Sequence, residues 1–414
     1  MARPNVIINK LNGGLGRRAP NTDAIFGMVL SAPAITGTGN MANGTSYVFA
    51  SIRDAMAIGI TPDYDTTNHV LVYHHINRFF LRNPNATLYF MSAPQTAKLA
   101  DMCDVTQNYA KKLLKDAAGK IKFVGVGRNP ATGYTPTLSN GLDEDVLNAV
   151  PNAQAIYDSE FAEFRYASFL IEGRSFNGTA AAAQDLRTLT AENVSVTIAA
   201  DPAISGANAA YAGYAALGDV LGLISLAAVS QDPGELNPAF NLQNAGLGMF
   251  VTAGLSSNLA ISSYNDADLD QLNAKGYIFP DVIAGISGFY LSDSHTCSAI
   301  SNNDYAYIEA NRTIEKAIFL SRTALLPKVK SRLKVDPATG QLDDDVRKSL
   351  EQTGVASLEP MQDDGDLSGG IDFYIDPSQN ILSTSNLNVQ ATFVPVAIGR
   401  QITISIGFSN PFKS

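Results

Sequence analysis

The chain has 414 residues, of which 45% are hydrophobic and 16% are charged, and its formal net charge is −10 at pH 7. A chain of this length and hydrophobic content can bury a large core, which excludes an intrinsically disordered protein. The acidic balance argues against general nucleic-acid binding, because phosphates attract Lys and Arg. Two cysteines are too few for a disulfide framework and are typical of a reducing compartment.

The longest apolar stretch, 211–229, is the one segment to weigh as a membrane span. Three glycines and Asp219 interrupt it, whereas a membrane span needs about 20 predominantly apolar residues. We therefore interpret it as part of a buried or interfacial helix. Residues 1–10 lack the long apolar region of a signal peptide, so we expect no targeting segment.

The predicted elements begin with a strand at 6–11, closed by the turn Asn12-Gly13-Gly14, and a second strand at 26–30. Helical spacing follows at 47–58 and 70–80, with a loop expected at 61–68. From residue 87 onward, compact apolar strands alternate with helices. These strands are predicted at 87–91, 121–126, 166–171 and 194–199, and these helices at 96–115, 143–147, 156–164 and 185–192.

The alternation of strands and helices, with continuous apolar strands, indicates a parallel sheet whose two faces are both covered. The fold class we predict is α/β, with a mostly parallel central sheet, helices on both faces, and extended N- and C-terminal β arms. Three regions follow from this pattern. They are an N-terminal arm with the first strands at 1–35, an α/β core at 36–335, and a C-terminal helix and β region at 336–414 that ends in an exchanged strand.

The second half of the chain predicts helices first and strands afterwards. A helix is expected at 208–230. Ser301, followed three residues later by Asp304, is typical of a capping box and predicts the start of a long helix, which Pro327 should kink or restart. A further helix is expected at 346–352, and strands are expected at 372–375, 381–387, 389–394 and 401–408. In the last strand, alternate residues are apolar, namely Ile402, Ile404, Ile406 and Phe408.

A glycine- and arginine-rich segment from Asn12 to Arg18 has features of a phosphate-binding loop. Glycines let backbone amides approach a phosphate, and the arginines would neutralise it. The spacing matches neither the Walker nor the dinucleotide fingerprint, so a flexible elbow is the simpler interpretation. The alternative function is an α/β enzyme or nucleotide-binding protein with a phosphate loop near Gly13 to Gly16. A nucleotide-induced thermal shift that is lost in Arg17→Ala would distinguish it.

Residue types that bind metals cluster at His74-His75, at His295-Thr296-Cys297 and in the acidic run 363–366. A zinc site needs four ligands, or three and a water, and only Asp293 lies near the second group. The acidic run does not match the EF-hand pattern. We interpret these groups as satisfied polar residues and a solvated turn, and we predict no catalytic residue, no cofactor and no metal site.

Two oppositely charged runs lie close together in sequence. Lys328, Lys330 and Arg332 form a basic run, and the acidic run comprises Asp343, Asp344 and Asp345. Charge runs are usually solvated faces. Their functional interpretation is docking of the basic run on an acidic surface of a neighbouring copy, with the acidic run as a candidate counterpart.

The predicted strands at the two ends of the chain indicate self-assembly. An isolated terminal strand is unstable by itself, and its pairing with the sheet edge of another copy is β-augmentation. A head-to-tail contact that does not close into a ring produces a helical filament. The candidate inter-subunit strand residues are Val6, Ile7, Ile8, Ile402, Ile404, Ile406 and Phe408.

Three segments carry a resemblance to the contractile-tail sheath proteins of bacteriophages and related injection systems. Residues 303–317 combine aromatic residues, an arginine-containing turn and an Ile-Glu helix. The family often has paired arginines before this helix, whereas this chain has only Arg312. Residues 393–400 form a Pro-containing segment that leads into the alternating strand, and residues 277–288 resemble the run before the first motif.

The resemblance implies a structural subunit without catalysis. Family sheaths stack around an inner tube, exchange terminal strands between copies, and shorten to drive the tube into a target cell. The implied partners are other copies of the chain, the inner tail tube protein, and baseplate and tail terminator proteins, with no direct nucleic acid and no membrane insertion. The implied location is a virion tail that is assembled in the bacterial host cytoplasm.

Overall fold

The structure is a computed structural model, and it describes residues 22–37, 39–243 and 250–409. The strands of this part of the chain are, in order, β1 (Ile25–Ser31), β2 (Ser46–Phe49), β3 (Thr87–Ala93), β4 (Phe123–Gly127), β5 (Leu138–Ser139), β6 (Leu142–Asp143), β7 (Ser168–Glu172), β8 (Val194–Thr197), β9 (Ala199–Ala200), β10 (Gly254–Leu255), β11 (Tyr277–Ile278), β12 (Pro280–Asp281), β13 (Tyr290–Leu291), β14 (Leu367–Tyr374) and β15 (Gln390–Pro395).

The helices of the same ranges are α1 (Ile52–Ala57), α2 (Pro62–Asn68), α3 (Val72–Arg82), α4 (Leu99–Met102), α5 (Ala110–Asp116), α6 (Glu144–Ala162), α7 (Pro202–Ser205), α8 (Leu217–Leu226), α9 (Asp266–Ala274), α10 (Ile308–Leu325), α11 (Asp344–Asp363) and α12 (Ile381–Thr384). None of these helices, within the ranges described, is long and apolar enough to cross a membrane.

Seven of the described strands form the central sheet, in the order β11-β8-β7-β4-β1-β3-β2. All neighbouring pairs are parallel except the edge pair β2–β3, which is antiparallel. Helices precede or follow most of the parallel strands, as crossover connections require. The predicted α/β fold with a mostly parallel sheet is therefore confirmed.

Both faces of this sheet are buried, as the strand β1 illustrates. Phe26, Met28 and Leu30 belong to an apolar cluster with residues of α3 and α8. Val29 belongs to a second cluster, with residues of α5 and α6. Successive side chains of a strand point to opposite faces, so helices cover the sheet on both sides.

Asp219 interrupts the apolar helix α8 for a structural reason. Its Oδ1 accepts a hydrogen bond of 2.9 Å from Nη2 of Arg82, which lies at the end of α3. Both side chains are buried. The acid therefore joins two packed helices of the core, in agreement with the prediction of a buried helix. The helix is shorter than the predicted range of 208–230.

Helix α10 connects the α/β body to a smaller C-terminal unit. Its first turns are buried against the body, where Ile308 joins the cluster of α3 and α8. Further along, Ala317 contributes to a separate small core with α11 and β14. In this core Phe373 of β14 packs so closely on α11 that a Cβ at Gly354 would lie 2.2 Å from the ring.

Several local predictions are wrong. The loop expected at 61–68 contains α2, the helix expected at 96–115 is divided into α4 and α5, and the helix expected at 185–192 is a single 3-10 turn at Leu186–Thr188.

Residues 47–58 are not one helix, because Tyr47 to Phe49 pair with β3 before α1 begins. The helix expected from Ser301 begins at Ile308, since Asn303 accepts the Tyr305 N–H and forms a turn instead. The strand expected at 381–387 is the short helix α12, which Asn380 caps.

Candidate self-assembly site

The C-terminal arm, which we define as residues 396–409, follows β15 and lies outside every helix and strand. The expected strand at 401–408 has no strand partner among the described residues. The apolar side chains of the alternating pattern face solvent. The relative exposures of Ile402, Ile404, Ile406 and Phe408 are 83%, 74%, 90% and 110%. Large apolar residues that are fully exposed in a row are typical of an interaction segment.

The arm leaves a two-stranded sheet that offers open edges. β14 and β15 are antiparallel, and the register pairs Leu367 with Pro395 and Tyr374 with Gln390. Within the described chain this sheet contains no further strand, so one side of each strand presents unpaired backbone groups. Such an edge is a template for a strand of another chain.

A groove of about 520 Å³ runs beside β15. Ala391 and Phe393 of β15, Val396 of the arm, and Ala310 and Ile314 of α10 line it. Its lining also includes the charged residues Asp304, Glu309 and Arg400. The donor segment and a partly apolar groove therefore occur in the same chain.

Arg400 attaches the arm to the α/β body. Its Nε donates to the Asp293 carboxylate at 3.0 Å and 3.2 Å, and its Nη2 donates to Glu309 Oε1 at 2.5 Å. The same nitrogen lies 3.5 Å from Asp232 Oδ2. The guanidinium carbon is 3.5 Å from the centre of the Tyr307 ring, a distance typical of a cation–π contact.

The charges of this cluster, which we call the Arg400 pocket, influence one another strongly. Burial, together with repulsion from Glu309 and Asp293, raises the pKa of Asp232 to about 7. Burial alone would lower the pKa of Arg400, but the charges of Asp293 and Glu309 outweigh it and raise that pKa. Arg400 therefore stays cationic, and the pocket around it is anionic.

The two charged runs differ in their surroundings. Lys328, Lys330 and Arg332 are exposed. By contrast, Asp343 caps α11 by accepting the Asp345 N–H, and it forms a salt bridge of 2.8 Å with Lys334 of the same chain. The acidic run is therefore partly occupied within its own subunit, and the basic run is the more accessible of the two.

Asp344 also has partners within its own chain. Its carboxylate pairs with Arg347 at 2.7 Å and with Lys348 at 3.2 Å, one turn further along α11. These contacts are typical of a solvated helix face. Asp345 is exposed, so it is the member of the acidic run that is most open to a neighbour.

Several predicted residues lie outside the described residues. Val6, Ile7 and Ile8 of the N-terminal arm are among them, as is the glycine-rich segment around Gly13 to Gly16. Their role in assembly stays a prediction.

The candidate metal-ligating groups have other roles in the structure. His295 is buried between the Arg187 guanidinium and Asn273 Oδ1, and burial lowers its pKa to about 4. Asp366 binds Lys316 Nζ at 2.6 Å. No group of three or more His, Cys, Asp or Glu residues is placed to hold a metal ion in residues 22–37, 39–243 and 250–409.

Sequence reasoning missed the Arg400 pocket. Its acids lie 107, 168 and 91 positions before Arg400, at Asp293, Asp232 and Glu309. Such separations leave no local spacing pattern. The one available signal was a lone arginine between two apolar segments of the arm.

Solved structures from contractile injection systems share this fold over nearly the whole chain. A chain of the anti-feeding prophage (AFP) helical sheath in its contracted state matches with a TM-score of 0.60 and 12% identity, covering 98% of this chain and 99% of that one. The predicted resemblance to sheath proteins is confirmed at the level of the fold.

Two further structures give the same result. A chain of the AFP baseplate matches with a TM-score of 0.60 and 13% identity, covering 99% of both chains. A chain of the PVC sheath complex, an extracellular contractile injection system in its contracted state, matches with a TM-score of 0.59 and 10% identity, covering 98% of both chains. A comparison of the sequence with curated proteins gives no match.

The chain belongs to the DUF2586 family. The model of the DUF2586 N-terminal domain matches residues 3–295, and the model of the DUF2586 C-terminal domain matches residues 304–413. The two models meet just before α10, and the boundary predicted at residue 335 stays a prediction.

Proposed function

We propose that this protein is the sheath subunit of a contractile injection system. Copies of the chain would polymerise helically around an inner tube, and contraction of the polymer would drive the tube through a target cell envelope. The observation that carries the proposal is the exposed alternating segment at Ile402 to Phe408, attached to a body with the sheath fold. In an isolated subunit this segment is unfavourable, because its large apolar side chains are exposed to water.

The arm would act by completing a sheet in a neighbouring copy. Its polar and apolar residues alternate with the period of a strand, and the β14–β15 sheet offers unpaired edges. Burying the four apolar side chains would contribute about 6–12 kcal/mol before the cost of ordering the arm. We infer the same role for Val6, Ile7 and Ile8 at the other end of the chain.

The subunit would have a mechanical and not an enzymatic role. Its partners would be further copies of itself, the inner tail tube protein, and the baseplate and tail terminator proteins, without direct nucleic-acid binding or membrane insertion. The match to a chain of a baseplate structure supports the baseplate part of this proposal. The location would be a virion tail that is assembled in the bacterial host cytoplasm.

A pair of matched substitutions in the arm tests the proposal. Ile404→Asp introduces a charge on the apolar face, and Thr403→Asp introduces the same charge one residue away on the polar face. We expect Ile404→Asp to abolish tubes in negative-stain electron microscopy and Thr403→Asp to retain them, because burying an unpaired charge is costly.

Removal of residues 401–414 is the stronger form of the same test. Residues 401–409 are exposed and the truncation retains Arg400, so the truncated chain should keep the circular dichroism and melting temperature of the full chain while forming no tubes. If the truncated chain forms tubes, strand donation is contradicted. The same conclusion follows if Ile404→Asp and Thr403→Asp reduce tube formation equally.

A further inference from the structure

Most of the described arm is exposed, although Ile398 is half-buried, and Arg400 makes its hydrogen bonds to the body. Arg400 contacts three parts of the body that are distant in sequence. Asp232 lies in the loop after α8, Asp293 follows β13, and Glu309 is in the first turn of α10. Ser294 adds a fourth acceptor, 3.3 Å from Nη2. One side chain of the arm is thus surrounded by groups built into the rigid body.

The acids around Arg400 make it unfavourable for the Arg400 side chain to leave the pocket. The side chains of Asp232, Asp293 and Glu309 are only 14%, 12% and 7% exposed. Without the guanidinium, Asp293 and Glu309 would lose the cation that they both contact, and Asp232, whose pKa burial and these two acids already raise to about 7, would bind a proton. Removing one partner of a buried ion pair is strongly destabilising, because the other charge is left uncompensated.

The geometry of the contact also requires an arginine. The planar guanidinium stacks on the Tyr307 ring while its edge donates to two carboxylates. An ammonium group is a compact point charge and cannot do both. The contact is therefore a specific one with defined geometry, and it differs in this from a nonspecific ion pair on the surface.

We propose that Arg400 is the positioning residue at the root of the arm, and that it remains in its pocket when a neighbouring copy binds. The segment free to move then begins at Gln401. This inference deepens the proposed function, because it takes the arm as the strand donor.

A fixed root restricts where the neighbour can lie. Ile402 is two residues beyond Arg400, so their Cα atoms are at most about 7 Å apart. Paired strands lie about 4.8 Å apart, so an edge that accepts Ile402 must lie within about 12 Å of the root. We conclude that the body surface around Asp293 and Tyr305 forms part of the contact with a second copy of the chain.

The competing arrangement is an arm that is released as a whole. Its flexible part would then begin at Val396, directly after β15, and five more residues would add about 17 Å of reach. The neighbour would not need to touch the Arg400 pocket. The two arrangements differ in the mobility of residues 396–399.

Spin labels on either side of the root distinguish these arrangements in the full-length soluble chain. Ala397→Cys places a label before Arg400, and Thr403→Cys places one after it; both positions are exposed. The native Cys103 and Cys297 are buried, so they should not react in the folded protein. We expect slow motion at 397 and fast motion at 403 in electron paramagnetic resonance spectra.

Substitution of Arg400 tests whether this residue is what restricts the motion at position 397. Arg400→Gln should make the label at 397 as mobile as the label at 403, and Arg400→Lys should restore the restriction only in part. Arg332→Gln removes the same charge at an exposed position and should change neither spectrum. Equal mobility at both positions in the unsubstituted chain, or no response to Arg400→Gln, would overturn the proposal.

A second measurement tests the position of the neighbour. In Tyr305→Cys, the rate of maleimide labelling should fall at least tenfold when the subunits form tubes, and an unchanged rate would overturn the inferred contact. The spin-label experiment does not depend on polymerisation. Absence of tubes in the unsubstituted chain would therefore contradict the proposed function alone, whereas tubes with a mobile residue 397 would contradict the fixed root alone.

Discussion

Glu315 places a carboxyl group in the buried contact between α10 and the sheet. Its Oε1 accepts a hydrogen bond of 2.8 Å from Ser168 Oγ and lies 3.4 Å from Asn193 Nδ2. Burial raises the pKa of this acid to about 7, although these bonds and the charges of Lys122 and Arg312 oppose the shift. The folded chain therefore holds a proton on Glu315 that an unfolded chain loses near pH 4.5.

This difference in pKa predicts how stability depends on pH. Between about pH 4.5 and pH 7 the folded state binds more protons at Glu315 than the unfolded state does, so the contribution of this group falls as pH rises. The slope is at most about 1.4 kcal/mol per pH unit for one proton. Glu315→Gln should remove it.

Urea denaturation of the two proteins at several pH values checks the prediction. The free energy of unfolding of the unsubstituted chain, minus that of Glu315→Gln, should decrease from pH 5 to pH 7 and level off above. Taking the difference cancels the contributions of the other titrating groups, among which His295 acts in the opposite direction and Asp232 in the same direction. A difference that rises with pH would mean that Glu315 is charged in the folded state.

Helices α3 and α8 approach so closely that their backbones touch. A Cβ at Gly218 would lie 2.2 Å from the carbonyl oxygen of His75, and one at Gly222 would lie 2.7 Å from Arg82 Cβ. Glycines four residues apart lie on one face of a helix and allow the backbone of another helix to approach closely. The small residues of this region therefore serve tight packing inside the subunit.

Gly218→Ala should therefore be destabilising, although alanine is normally the better helix former. We expect a loss of about 1–3 kcal/mol in the free energy of unfolding, because the added methyl group forces the helices apart. Gly399→Ala is the matched control, since nothing lies within 4 Å of its Cβ position. Equal midpoints in urea for the two variants would show that the helices can separate without cost.

The parallel strands could be predicted because they are buried on two faces and most of them contain an unbroken apolar run, as in Phe169 to Ile171. The errors arise where tertiary contacts override local pattern. Val48 has helical spacing with Ile52, but residues 46–49 pair with β3, where Phe49 stacks on Phe90 with ring centres 5.7 Å apart. After Ser301, Asn303 accepts the Tyr305 N–H in a turn, and α10 begins only at Ile308.

The assembly site was predictable only in part. The alternation from Ile402 to Phe408 is a local pattern, so it marks the arm without any knowledge of the fold. The acids of the Arg400 pocket are brought together only by folding, so the sequence carries no sign of where the arm is attached.

At the scale of the whole molecule, a net charge of −10 means that copies of the chain repel one another. The exposed basic run of Lys328, Lys330 and Arg332 is a local exception that would steer an acidic surface of the next copy toward it. Replacing all three with Gln should raise the concentration needed for tube formation at 0.1 M salt, as measured by sedimentation.

The effect should vanish at high ionic strength, because the Debye length falls from about 10 Å at 0.1 M to about 3 Å at 1 M salt. A matched triple substitution to Gln at Lys111, Lys112 and Lys115, on α5, changes the net charge equally. If both triple variants shift the concentration to the same extent, net charge and not this contact governs assembly.

The position of Arg400 between the arm and β15 has a mechanical consequence. Tension on the arm reaches the Arg400 pocket before it reaches β15, whose hydrogen bonds to β14 would otherwise break one after another from the strand end. The guanidinium passes the load to Asp293 and Glu309, which are anchored in the α/β body. In a polymer under tension, force would pass from one α/β body to the next through the arm and Arg400. The β14–β15 sheet, which would accept the strand of the neighbouring copy, would not carry this load.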